Sequence, residues 1–190
     1  MNVAAPTSGR VTSRGRALLA ALSLLFGALA HAETQSASTP AEQRATAVTQ
    51  VVLGILSYAR WPVEPAQLRL CLVGPTEYAD NLVKGTTQAT GRPVQVRRLL
   101  SGDPRIASEC DAVYLGKLSQ DERAQLFGAI NGHPVLSISE DDPCVVGSVF
   151  CLRVSDHQVA FDVNLDSVAR SGVRIHPSVL QLSRRRAAQP

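Results

Sequence analysis

The chain turns on Cys144-Val-Val-Gly-Ser-Val-Phe-Cys-Leu-Arg-Val-Ser-Asp-His-Gln-Val-Ala-Phe-Asp-Val-Asn-Leu165. Up to this point, apolar runs short enough for strands alternate with stretches of helical spacing. Here two apolar runs follow one another. VFCLRV and QVAFDVNL are separated only by Ser155-Asp156-His157, which predicts an antiparallel pair. Strand–helix alternation that ends in a hairpin defines a single α/β domain with a mixed sheet flanked by helices. The octet Cys144–Cys151 suits a metal clip, a redox pair or a staple, and the compartment decides among these.

The start of the chain gives the compartment. Arg10, Arg14 and Arg16 come before any acid. ALLAALSLLFGALA follows at 17–30, and the stretch closes on Ala30-His31-Ala32. A basic prefix, an apolar run and a small-residue exit predict a secretory signal peptide over 1–32. The run is shorter than the ~20 residues a membrane span needs, so no membrane insertion is expected. The polar ETQSASTP is read as a flexible leader over 33–40, with the folded domain over 41–190. The formal charge of +3 belongs to the signal. Once its three arginines are removed, basic and acidic residues balance, which gives no electrostatic case for nucleic acid. Arg184–Arg186 reads as a solvated tail.

An exported protein keeps its disulfides. The four cysteines show neither C-x2-C nor zinc-like spacing with histidine, so no metal is expected and Cys144–Cys151 reads as a structural staple. Gly147-Ser148 suits a two-residue hairpin turn that sets the two cysteines opposite each other, making a disulfide-stapled hairpin. The remaining pair, Cys71 and Cys110, would tie two strands of the main sheet.

Between leader and hairpin the elements read in order. A helix is expected over 41–60, ended by Trp61-Pro62. Strands are expected at Leu68–Gly74, Pro93–Leu100, Asp111–Gly116 and His133–Ser139. A helix is expected from Pro75 to Gly85. A second follows the capping box at Ser119 and Glu122 and runs to Ile130. Asn164 caps a short helix through Arg170, Gly172 closes it, and Pro177 opens a last helix from Ser178 to about Arg185.

No catalytic motif or cofactor signature is present in the sequence, so no enzyme activity is expected. His133 and His157 read as solvated turn residues, and Asp141-Asp142 as a polar turn before Pro143. His176 lies in a joint between short helices with no triad around it. What remains is chemistry for partners. Trp61, the only tryptophan, is either core or an interface anchor. Val168, Ile175, Pro177 and Val179 offer apolar contacts, with Arg60, Asp162, Arg170 and His176 as a polar rim. This surface suits a partner side chain or, as the alternative function, a small ligand in a periplasmic binding protein.

Four stretches carry a family resemblance: TQVVLGILSYARWP at 49–62, LRLCLVGP at 68–75, DAVYLG at 111–116 and, above all, VAFDVNLDSVARSGVRIHPSVLQLSRR at 159–185. They resemble the YfiR-like family of periplasmic proteins over nearly all of the exported chain. Val173 and Val179 stand where that family often has leucine. The resemblance implies a non-enzymatic regulator that represses an inner-membrane diguanylate cyclase by binding its periplasmic sensor domain. Cyclic di-GMP and biofilm formation would then stay low. An OmpA-like outer-membrane lipoprotein would sequester the repressor. A homodimer is a further possibility.

Overall fold

The computed structural model describes residues 38–185 except 89, 145, 146 and 157. The expected signal, most of the leader and the solvated-turn reading of His157 lie outside the described residues. The domain opens with α1, Pro40–Tyr58. Thr39 caps it by accepting the Glu42 N–H while the Glu42 carboxylate accepts the Thr39 N–H. This capping box moves the helix start into what reads as leader, because two otherwise unpaired amides are satisfied there. The helix ends two residues earlier than expected. Ala59–Arg60 leave it as strand β1.

The remaining elements are β2 (Leu68–Val73), α2 (Asp80–Val83), β3 (Thr86–Thr87), β4 (Pro93–Leu99), α3 (Ile106–Glu109), β5 (Ala112–Leu115), α4 (Gln120–Ile130), β6 (Leu136–Ser139), β7 (Phe150–Val154), β8 (Val159–Val163), α5 (Leu165–Arg170), β9 (Arg174–Ile175) and α6 (Leu180–Arg185). A single 3-10 turn, Pro177–Val179, precedes α6 where continuous helix was expected. The helix expected from Pro75 to Gly85 shrinks to α2. The Glu77 and Tyr78 amides donate to the Glu140 carboxylate, so the loop is held across the sheet end instead of coiling.

The main sheet runs β3-β4-β2-β5-β6-β7-β8. Its five central strands are parallel, and β3 and β8 are antiparallel edges. On the first face Leu68, Leu70, Leu72, Tyr114, Ile138, Phe150 and Phe161 meet α1 through Val48, Val52, Ile55 and Leu56. On the second face Cys71, Val73, Val113 and Leu115 meet Ile106 of α3 and Leu126 and Ile130 of α4. The result is three layers with one sheet buried between helices, as near-continuous apolar parallel strands require.

Cys71–Cys110 and Cys144–Cys151 are both bonded, with Cα atoms 5.9 and 5.6 Å apart. Val145 and Val146 of the octet lie outside the described residues; Phe150 has Ile138 of β6 on one side and Val163 of β8 on the other. Cys144 is left-handed (φ 63°) and lies in loop. The second disulfide therefore clips a loop onto the second residue of β7, and the C-terminal hairpin is β7–β8.

Gly116 sits where β5 leaves the sheet. A Cβ there would lie 1.9 Å from the Pro75 carbonyl oxygen, whereas one on Gly128 of α4 meets nothing. Gly116→Ala should therefore lower stability by more than 2 kcal/mol, in the range of overpacked core changes of ~1–3 kcal/mol or more. Gly128→Ala should raise it by up to ~1 kcal/mol. Urea unfolding of the two variants checks the pair.

Candidate functional site

The second face of the sheet changes character halfway across. On β2 and β5 it presents Cys71, Val73, Val113 and Leu115. By strand alternation, β6 to β8 present Ser137, Ser139, Cys151, Arg153, Ala160 and Asp162 on that face. A polar, small-residue face cannot hold a helix by apolar burial. Accordingly, none of the described residues of the parallel step from β6 to β7, 140–144 and 147–149, is helical.

Asp142 organises that loop. Its side chain is 1 % exposed and accepts from Arg123 Nη1 at 2.6 Å. It also accepts from the backbone N–H of Cys144 at 2.9 Å and of Ser148 at 3.4 Å. This aspartate read as half of a solvated polar turn. No sequence signal separates it from Asp141, because its partner Arg123 lies on α4. Between the loop, α4 and α5 lies a cleft of about 820 Å3. Phe127, Ile130, Val135 and Val149 line it, with Arg170 and Ser167 on its α5 wall.

The residues expected to form one partner surface are divided by the structure. Trp61 is 3 % exposed, and its indole N–H donates to the Asp111 carbonyl at 2.9 Å. It belongs to the core, as does Val179 at 2 %. Neither is available to a partner. The others gather around a second, two-stranded ribbon in which β1 pairs antiparallel with β9, Ala59 opposite Ile175 and Arg60 opposite Arg174. Ile175 and Val168 are half-buried against the α1 core, while Pro177 is exposed. Leu165, 76 % exposed, stands one turn before Val168 on α5.

His176 ties this joint together. Its N–H donates to the Tyr58 carbonyl at 3.0 Å, and its ring stacks on Tyr58 with centroids 6.2 Å apart. Its Nδ1 accepts the Ser178 N–H at 3.2 Å, capping the 3-10 turn. Arg60 donates to the Ser57 and Ala59 carbonyls at the end of α1. Two arginines thus stand opposite each other in the register of the ribbon, Arg60 held at the carbonyls that end α1 and Arg174 without an ion pair among the described residues. Asp162 does not share this surface's charge. It pairs with Arg153 across the β7–β8 hairpin. Arg170 stands at the cleft, on another side of α5 from Val168.

The class of protein follows from this geometry: a three-layer α/β domain whose exposed chemistry is an apolar–basic ribbon joint and a cleft. Comparison with known protein families matches residues 45–184 to the YfiR/HmsC-like family. The chain belongs to that family, whose members are periplasmic, regulatory and non-catalytic proteins of the diguanylate cyclase system. Among the described residues no helix is long and apolar enough to cross a membrane.

If Asp142 holds the loop, its removal leaves Arg123 charged and largely buried. Asp142→Ala should cost about 3 kcal/mol, the scale of a broken buried pair. Hydrogen exchange should accelerate at the Cys144 and Ser148 amides with the disulfide still intact. Unchanged exchange at these two amides would assign the loop's order to the disulfide alone.

Proposed function

We propose that this protein is exported by cleavage of residues 1–32 and represses an inner-membrane diguanylate cyclase by binding its periplasmic sensor domain. Cyclic di-GMP and biofilm formation are thereby kept low. An OmpA-like outer-membrane lipoprotein relieves repression by sequestering the repressor. Membership of the YfiR/HmsC-like family supports this reading. The observation that carries it is the ribbon joint, where half-buried Val168 and Ile175 and exposed Pro177 lie beside Arg60, Arg174 and His176.

The physics of that joint suits a protein partner. An apolar or aromatic side chain gains by covering Val168, Ile175 and Pro177. A carboxylate beside it would meet Arg174, which has no ion pair among the described residues, and Arg60 opposite it in the ribbon. Rim charges of this kind set orientation and encounter rate more than affinity. The apolar contact therefore supplies the energy and the arginines the register. Two partners that use one joint exclude each other, and repression then follows from mass action.

Ile175→Asp places a carboxylate in the apolar contact, where an unpaired charge is costly. Affinity for the cyclase sensor domain should fall by at least ~100-fold, about 2.7 kcal/mol. Circular dichroism and melting temperature establish that the variant is folded. A folded variant that binds both the sensor domain and the lipoprotein at wild-type affinity would remove the joint from the interface.

A further inference from the structure

The 3-10 turn before α6 is capped by a histidine. Ser, Thr, Asp and Asn are the usual caps, because a short side chain places an acceptor over the free amides of the first turn. His176 does the same with a ring nitrogen. Its backbone is extended (φ −73°, ψ 130°), as suits a residue before proline, and Pro177 takes the first position of the turn, where no N–H is needed. The Ser178 N–H then donates to Nδ1 at 3.2 Å and has no other partner among the described residues. The Val179 N–H donates to the His176 carbonyl at 3.0 Å, and the Val179 side chain is buried in the α1 core, while Pro177 stays exposed. The cap therefore orients the turn that presents Pro177 beside Ile175.

This cap depends on the charge of the ring. Nδ1 accepts only while it carries no proton, and the imidazolium has N–H on both nitrogens and no acceptor left. On protonation two donors, Nδ1–H and the Ser178 N–H, would face each other, so the ring leaves and the amide loses its partner. Imidazoles change charge between about pH 5 and pH 8, whereas an asparagine in the same place would cap throughout that range. The surroundings hold no acid for the charged ring. α1 offers the Tyr58 ring, with centroids 6.2 Å apart. The ribbon brings Arg60 and Arg174, and the sequence of the turn and α6 holds Arg184 and Arg185 but no acid. Glu64, after β1, pairs with Arg92, and Asp162 of β8 pairs with Arg153. Asp166 of α5 lines the cleft with Arg170.

We infer that His176 makes the ribbon joint an acid-sensitive surface: the neutral imidazole holds the Pro177 turn in its binding arrangement, and protonation releases it. The release of the turn follows from the cap alone, and its effect on binding rests on the function proposed above. Val179 keeps its seat in the core, so the turn loosens without unfolding and the joint loses part of its affinity. The added positive charge favours a carboxylate partner, but a rim charge changes encounter rate more than affinity, so loss of the cap sets the sign. Repression then weakens as the periplasm acidifies.

The test uses the exported form of the protein with both disulfides intact and two variants. His176→Asn keeps a neutral acceptor at the cap, and His176→Ala removes it. Hydrogen exchange of the Ser178 amide, taken relative to an unstructured peptide at the same pH, reads the cap directly. At about pH 8 the wild type should match His176→Asn, and at about pH 5 it should match His176→Ala. The difference should be roughly 5-fold in protection, the scale of one N-cap. Affinity for the full-length cyclase in lipid nanodiscs should follow. On acidification the wild type should weaken by roughly 5-fold more than His176→Asn, whose own change corrects for titration of the partner. Equal protection of Ser178 at both pH values in the wild type overturns the inference. So does a wild type that shares the pH dependence of His176→Asn, or one that binds more tightly than His176→Asn in acid, since the charge of the ring and not its cap would then govern the joint. If no form binds the cyclase while Ser178 still follows the ring, the acid-sensitive turn stands and the proposed partner falls.

Discussion

The Trp61 indole N–H donating to the carbonyl of Asp111 fixes the end of α1 to the start of the sheet. The same carbonyl accepts the Leu136 N–H at 3.0 Å, and the Asp111 carboxylate accepts the Arg69 N–H and its guanidinium. One residue therefore joins β2, β5, β6 and the helix end. Pro62 prevents α1 from continuing, so the chain leaves as β1 at a place set by this anchor. The β1–β9 ribbon, the His176 cap and the spacing of Arg60 from Arg174 inherit their positions from it. A tryptophan that looks like a hot spot thus acts as core and positions the ribbon joint at one remove.

A second constraint acts on the other face of the sheet. Where that face turns polar at Ser137 and Ser139, a crossover helix has nothing to bury. The loop that takes its place contains polar backbone that would cost free energy if left unpaired. Asp142 and the Cys144–Cys151 bond meet that cost together, the carboxylate by accepting amides and the disulfide by fixing the path.

Much of this was legible in the sequence. The strands came from apolar runs, α4 from the Ser119–Glu122 capping box, and α5 from Asn164 and Gly172. Both disulfides form with the expected partners. The disulfide-bearing C-terminal hairpin is β7–β8, and the pairing of Phe150 with β6 as well is a long-range partnership that no local pattern shows. The Pro75–Gly85 helix failed for a similar reason, since Glu140, more than fifty residues away, takes the amides the helix would have used. At the candidate site, Ile175, Pro177 and Val168 could be read from their apolar-and-basic neighbourhood. The burial of Trp61 and Val179, the opposition of Arg60 to Arg174 and the partnership of Asp142 with Arg123 depend on long-range contacts that leave no local pattern.

The proposed role of this domain is to lower the output of a membrane diguanylate cyclase through the cyclase's periplasmic domain. The most direct measurement is cyclic di-GMP synthesis by the full-length cyclase in lipid nanodiscs, titrated with the exported form of the protein. The account predicts that synthesis falls as the protein saturates the sensor domain and returns when the lipoprotein is added. Synthesis that stays constant at saturating protein, or that falls equally for a cyclase lacking its periplasmic domain, would contradict it.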